Sequence, residues 1–151
     1  MIELTNSQIV MVGTAGIMRQ IQYIRNGRKP TNDRFPVDQS WTTMIEGALS
    51  EYALAQYLNR HWEGTGLPGG DDLGEEEVRV SDLDYGSLII RPKDNDEKRY
   101  WLLTGSNATY TVRGYMYAKD AKQTKYWRTD VGKQPPAWFV PQKDLIQWDI
   151  K

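Results

Sequence analysis

A mixed α+β (α/β) domain is the fold class this sequence predicts, and a change of hydrophobic period partway along the chain is what predicts it. Up to about Leu58 the apolar residues recur at helical intervals, whereas after "HWEGTGLPGG" they fall in short period-two runs separated by Asp, Asn and Gly clusters. A length of 151 residues fits one domain, 1–151, with an N-terminal helical segment over about 1–28.

The elements follow in order. Thr5 and Gln8 have capping-box spacing, and Ile9, Val12, Ile17, Ile21 and Ile24 recur at near-helical intervals, so a helix is expected from Thr5 to about Arg25 despite Gly13 and Gly16. The connector "NGRKPTNDRFPVDQS" carries two prolines and a basic cluster. A second helix is expected over "SWTTMIEGALSEYALAQYL", from Ser40 to about Leu58. Strands are expected at "EVRVS", "SLIIRP", "RYWLLTG" and "TYTVRGYMY", joined as a meander through "DLDYG", "PKDNDEK" and "GSNA". A polar stretch, loop or short helix, then leads to a last strand at "AWFVP".

Composition narrows the chemistry. Nineteen Lys and Arg against twenty Asp and Glu give no global pull toward nucleic acid, so any such surface must be local. With no cysteine and one histidine, thiolate and His-rich metal sites are excluded, and a metal would have to be held through oxygen. The segment "MIELTNSQIVMVG" has neither a basic n-region nor a long apolar core, and no apolar run approaches the ~18 residues that span a bilayer. A cytoplasmic protein without membrane contact is therefore expected.

Two places concentrate carboxylates worth explaining. In the second helix Met44, Ala48, Ala55 and Leu58 share one side and Glu51 falls among them, whereas Glu46 projects to a solvated side with Ser50, Tyr57 and Arg60 nearer to it. Burying a carboxylate is costly unless it is paired or coordinates a cation, so Glu51 snorkels from the edge of the stripe, meets a Tyr or Arg, or faces a metal. Gly47 and Ala48 would let another backbone approach this helix. In "GGDDLGEEEVRVS", alternation puts Glu77, Arg79 and Ser81 on one face of a strand and Val78 and Val80 on the other, with Asp71 or Asp72 in the preceding turn. Glu75 and Glu76 read as solvated turn residues. Carboxylates meeting at such a strand mouth would suit Mg²⁺, a hard cation that takes oxygen ligands.

An inward glutamate in "GALSEYALAQYLN", an aspartate at a turn and then "EVR" on a strand resemble, in this order, the PD-(D/E)XK nuclease superfamily, and the stretch from about Thr42 to Leu145 looks like a small phage-type member. The resemblance implies a restriction-endonuclease-like fold, a central mixed sheet of about four to five strands flanked by helices. It also implies an endodeoxyribonuclease in which Glu51, Asp72 and Glu77 hold Mg²⁺ (or Mn²⁺). Arg79 stands where the family has lysine. Its guanidinium stays protonated in proteins, so it can orient and neutralise charge but hardly act as a base. Asp72 lies only five residues before Glu77 without a preceding proline, and Asp71 is an acceptable substitute.

DNA phosphates would be met by Arg28 and Lys29 in the connector and by Lys119, Lys122 and Lys125, which recur three apart with Arg128 and flank Tyr126 and Trp127. Lys119 or Lys122 could also replace the missing motif lysine. His61, beside Trp62, is expected to cap or pack rather than catalyse. Nucleases of this fold often act as homodimers, which the resemblance leaves open here. Two other readings are a catalytically silent member of the fold that binds nucleic acid or a protein, and an unrelated α+β binding module whose acidic turn is surface.

Overall fold

Residues 1–26, 40–64, 73–132 and 134–148 are described by a computed structural model of the chain. Their contacts group into two units, one made by Ile2–Leu73 with Asn107–Thr109, the other by Gly74–Ser106 with Tyr110–Lys151 and Met1.

In the first unit a short strand β1 (Ile2–Glu3) precedes the helices α1 (Asn6–Arg25) and α2 (Ser40–Tyr57). The capping box forms as its spacing requires: Thr5 Oγ1 accepts from the Gln8 backbone N–H, and Gln8 Oε1 accepts from that of Thr5 at 2.8 Å. The other end of the pair is closed by Asn59. At φ 53° Asn59 takes the left-handed position for which asparagine is the best residue after glycine, and Arg60 N–H reaches back to Ala55 C=O at 2.8 Å.

Between these ends Val12 and Ala15 of α1 and Ala48 and Ala55 of α2 are buried. The helices come close at Gly16, where a Cβ would lie 2.6 Å from the Ile45 Cα and 2.9 Å from the Met44 carbonyl. The approach expected at Gly47 is therefore made from the opposite helix, and a Cβ on Gly47 itself would meet no atom within 4 Å. Two further expectations on α2 change. Ser50 is buried, its hydroxyl donating to Gly47 C=O at 2.8 Å, and Glu46 is half-buried and accepts the Asn107 backbone N–H at 2.8 Å.

The second unit holds β2 (Glu76–Ser81), β3 (Leu88–Ile90), β4 (Arg99–Ser106), most of β5 (Thr109–Tyr117), α3 (Ala118–Ala121), β6 (Trp127–Arg128) and β7 (Ala137–Val140). The period-two runs are strands, yet they do not form a meander. β2 and β4 are parallel neighbours, in register from Glu76 beside Arg99 to Ser81 beside Thr104, and β5 lies on the far side of β4. β3 leaves for a second sheet of order β3-β7-β6, where it runs antiparallel to β7. The reason lies in residues 81–86. Ser81 Oγ accepts from Leu83 N–H, Gly86 N–H donates to Leu83 C=O, and the turn so made redirects the chain instead of folding β3 back onto β2. The connection from β2 to β4 is then long enough for a parallel crossover. By contrast β4 and β5 are joined by Asn107 and Ala108 alone, at φ 54° and 68°, the signs of a tight type I′ hairpin.

Leu88, Ile90, Tyr100, Leu102, Met116, Tyr126, Val140 and Leu145 form the main core of this unit, with Trp138 against it. Tyr126 sits there with its hydroxyl donating to Asp144 at 2.8 Å. Burial, and after it that hydrogen bond to Asp144, hold the Tyr126 pKa above its ordinary 10.0. A group whose pKa is raised on folding contributes stability that is intact below its unfolded value and lost as pH rises through the folded one. Stability should accordingly fall as pH climbs past about 10, and Tyr126→Phe should flatten that fall. Denaturant midpoints at neutral and alkaline pH would check it, and an unchanged alkaline slope in Tyr126→Phe would refute it.

Candidate metal and nucleic-acid site

Glu51 lies in the helical unit. It is half-buried and held by two hydrogen bonds from Arg19, at 2.9 and 3.2 Å. The cation partner that a carboxylate on this helix face needs is thus supplied across the helix pair, by an arginine itself largely buried. Asp71, Asp72, Arg28 and Lys29 lie outside the described residues.

Glu77 and Arg79 lie in the sheet unit, on the same face of β2 as the alternation required. The parallel register puts Tyr100 beside Glu77, and the Arg79 guanidinium lies over the Tyr100 ring, 5.0 Å from its centre. Lys98, at the entry to β4, donates from Nζ to Glu77 Oε1 at 2.8 Å. Arg79 donates to Asp94 Oδ1 at 2.8 Å, and the second oxygen of this buried carboxylate accepts the Arg91 backbone N–H at 2.8 Å. Burial raises the Tyr100 pKa above its ordinary value, and the neighbouring Asp94 charge adds to that. One face of β2 therefore carries a carboxylate beside a lysine and, two residues on, an arginine beside a carboxylate.

Neither Lys98 nor Asp94 is visible as a site residue in the sequence, where both belong to the turn "PKDNDEK". What reveals them is the pairing of β2 with β4. Lys122, just after α3, also reaches this turn. Its three N–H groups have three acceptors, Asp96 Oδ1 at 2.6 Å, Asp94 C=O at 2.9 Å and Pro92 C=O at 3.2 Å, so its charge serves to fix the turn.

Glu76 departs most from its expected place. It is the first residue of β2 rather than the last of a turn, its side chain is 1 % exposed, and it accepts from the Arg99 guanidinium and the Trp101 indole N–H. Facing inward, it needed donors that lie 23 and 25 positions away in sequence. Burial works against the Arg99 charge, but the hydrogen bond and attraction to Glu76 prevail and its pKa stays above the ordinary value.

The remaining basic residues are more open. Lys119 lies 3.5 Å from Glu97 and 5.5 Å from the Tyr117 ring centre, Lys125 lies over Tyr126 at 4.8 Å, and Arg128 lies over Phe139 at 5.3 Å. Trp127, exposed on the edge strand β6, leans on Trp138 with ring centres 4.7 Å apart. Cations beside aromatic rings are the components from which single strands and phosphate backbones are bound. His61 is exposed, and it is Trp62 that packs, edge-on to Tyr52 at 5.6 Å.

Among the described residues no three Asp, Glu or His side chains gather where they could hold a metal ion. Nor is any described helix long and apolar enough to cross a membrane. Comparison with family models, with curated proteins and with solved structures finds no match to this chain.

Proposed function

We propose that this protein is a restriction-endonuclease-like nuclease that hydrolyses DNA phosphodiester bonds with Mg²⁺ or Mn²⁺. The observation that supports the reading best is Lys98, 2.8 Å from Glu77 on the face that also carries Arg79. An arginine cannot serve as the mobile proton-handling group of such a site, whereas an ammonium on a flexible stem can orient a water and exchange its proton. Lys98 fills that role, and Arg79 neutralises charge on the phosphoryl group. Of the carboxylates the metal would use, Glu77 lies on this face, and Asp72 and Glu51 complete the set that the sequence resemblance implies. A divalent ion held there supplies polarisation of the phosphodiester and a bound water of lowered pKa. Lys119, Lys125, Arg28 and Lys29 contact the DNA backbone.

A plasmid-relaxation assay tests this reading. Nicking with Mg²⁺ and none with EDTA is expected, with Glu77→Ala and Lys98→Ala each reducing the rate on the order of 100-fold while DNA binding persists. A protein inert with either metal that still shifts DNA would sink hydrolysis in favour of the silent reading. One observation favours that second reading: both described acids of the set are already held by cations, Glu51 by Arg19 and Glu77 by Lys98. A protein that neither cuts nor binds would sink both.

A further inference from the structure

Helix α1 is apolar on two opposite faces, and among the described residues only one of them is covered. At about 100° per residue, Val12, Ala15 and Gly16 turn toward α2, whereas Val10, Ile17, Ile21 and Ile24 form a stripe on the far side, with Met11 and Met18 along one edge of it. The spacing along Val10, Thr14, Ile17, Ile21 and Ile24 is four, three, four, three, the alternation of a helix–helix seam. Thr14 does not interrupt it, because its hydroxyl is turned into the helix to donate to Val10 C=O at 2.7 Å. The exposures are large for such residues: 71 % for Val10, 55 % for Met11, 41 % for Ile17, 40 % for Met18 and 51 % for Ile24.

We propose that this stripe is the interface with a second copy of the same chain, an α1-to-α1 pairing about a two-fold axis. Three observations select that occupant. The five most exposed side chains offer roughly 500 Å² per copy, so two copies would bury at most roughly 1,000 Å² in all, the lower limit for a specific interface. A two-fold axis brings like against like, which a charged stripe would resist. The stripe residues themselves carry no charge: Arg19 is turned away to Glu51, and the exposed Arg25 follows Ile24 at the stripe's end. Finally, a seam spacing sustained over Val10–Ile24 matches another helix better than an irregular surface. The pairing is independent of the nuclease reading and stands or falls without it.

Sedimentation of the full chain at about 10 to 100 µM should give a dimer, and Ile17→Glu should raise its dissociation constant by about 100-fold, since each copy would bury an unpaired carboxylate. Tyr85→Glu, at an exposed aromatic of the sheet unit, should leave association unchanged. Because the chain has no cysteine, Ile17→Cys provides a second test that does not depend on the charged variant folding. Ile17 is near the middle of the stripe and meets its own copy in either helix direction, so mild oxidation should link Ile17→Cys into dimers and leave Tyr85→Cys unlinked. A monomer at ~100 µM that gives no Ile17→Cys crosslink would overturn the proposal. So would co-sedimentation of that monomer with phosphatidylcholine–phosphatidylglycerol vesicles, which would assign the stripe to a lipid surface.

Discussion

Glu76→Ala should destabilise the sheet unit by about 3 to 5 kcal/mol, the cost of removing one member of a buried ion pair. The side chain is all but inaccessible, and Arg99 binds it through Nε and a terminal nitrogen while Trp101 adds its indole N–H. Truncation strands a guanidinium that lies 5.9 Å from the Tyr115 ring centre and 5.8 Å from that of Trp148, and it leaves a fully buried tryptophan without this acceptor. The rings compensate little, because a cation over an aromatic face is worth only about 0.5–2 kcal/mol. Glu76→Gln, which keeps an acceptor but not the charge, should lose less. Replacing the pair together, with methionine at both Glu76 and Arg99, should recover most of the loss, since a buried pair repays little more than its own desolvation. Denaturant midpoints followed by tryptophan fluorescence give these values, and exchange of the β2 and β4 amides would show that the loss lies in this sheet. A Glu76→Ala protein within about 1 kcal/mol of the parent would mean the pair is not intact in solution.

That residue also marks where the sequence ceased to be legible. Period-two alternation assigned Glu77 and Arg79 to one face of β2, and the structure agrees, because which face a strand residue takes depends on its immediate neighbours. Which strand lies alongside depends on the whole chain. The pairing of β2 with β4 brings Arg99 and Trp101 to Glu76 and Lys98 to Glu77, and nothing within the run "EEEVRVS" indicates it. The same holds for β3, whose short apolar run was recognisable as a strand but whose partner β7 stands about fifty positions later. Helices were read more completely. The Thr5–Gln8 capping box is local, and the observed helices run from Asn6 to Arg25 and from Ser40 to Tyr57, close to the expected bounds. Even there the long-range facts were hidden: Arg19 is the partner of Glu51, and Ser50 and Glu46 have uses that helical period alone did not suggest.

The glycines of α1 give a prediction whose sign reverses within one turn. Gly13→Ala should stabilise the helical unit by about 1 kcal/mol, because a Cβ there meets nothing within 4 Å and alanine removes the conformational cost of glycine in a helix. The identical change at Gly16 gains the same propensity but drives a Cβ to 2.6 Å from the Ile45 Cα, 2.9 Å from the Met44 carbonyl oxygen and 3.0 Å from the Ile45 nitrogen. All three are backbone atoms of α2, so no rotamer change relieves the contact and the helices must separate. Separation would loosen the packing around Val12 and Ala15 of α1 and Ala48 of α2, all of them buried. Overpacking of this kind costs about 1 to 3 kcal/mol and more where backbone must move, so Gly16→Ala should be net destabilising and Gly16→Val should lose about 3 to 4 kcal/mol. Thermal unfolding by far-UV circular dichroism of the three variants decides it. Equal effects at Gly13 and Gly16 would show that α1 and α2 do not cross at Gly16. Opposite effects would show that one glycine is there for its missing side chain and the other is not.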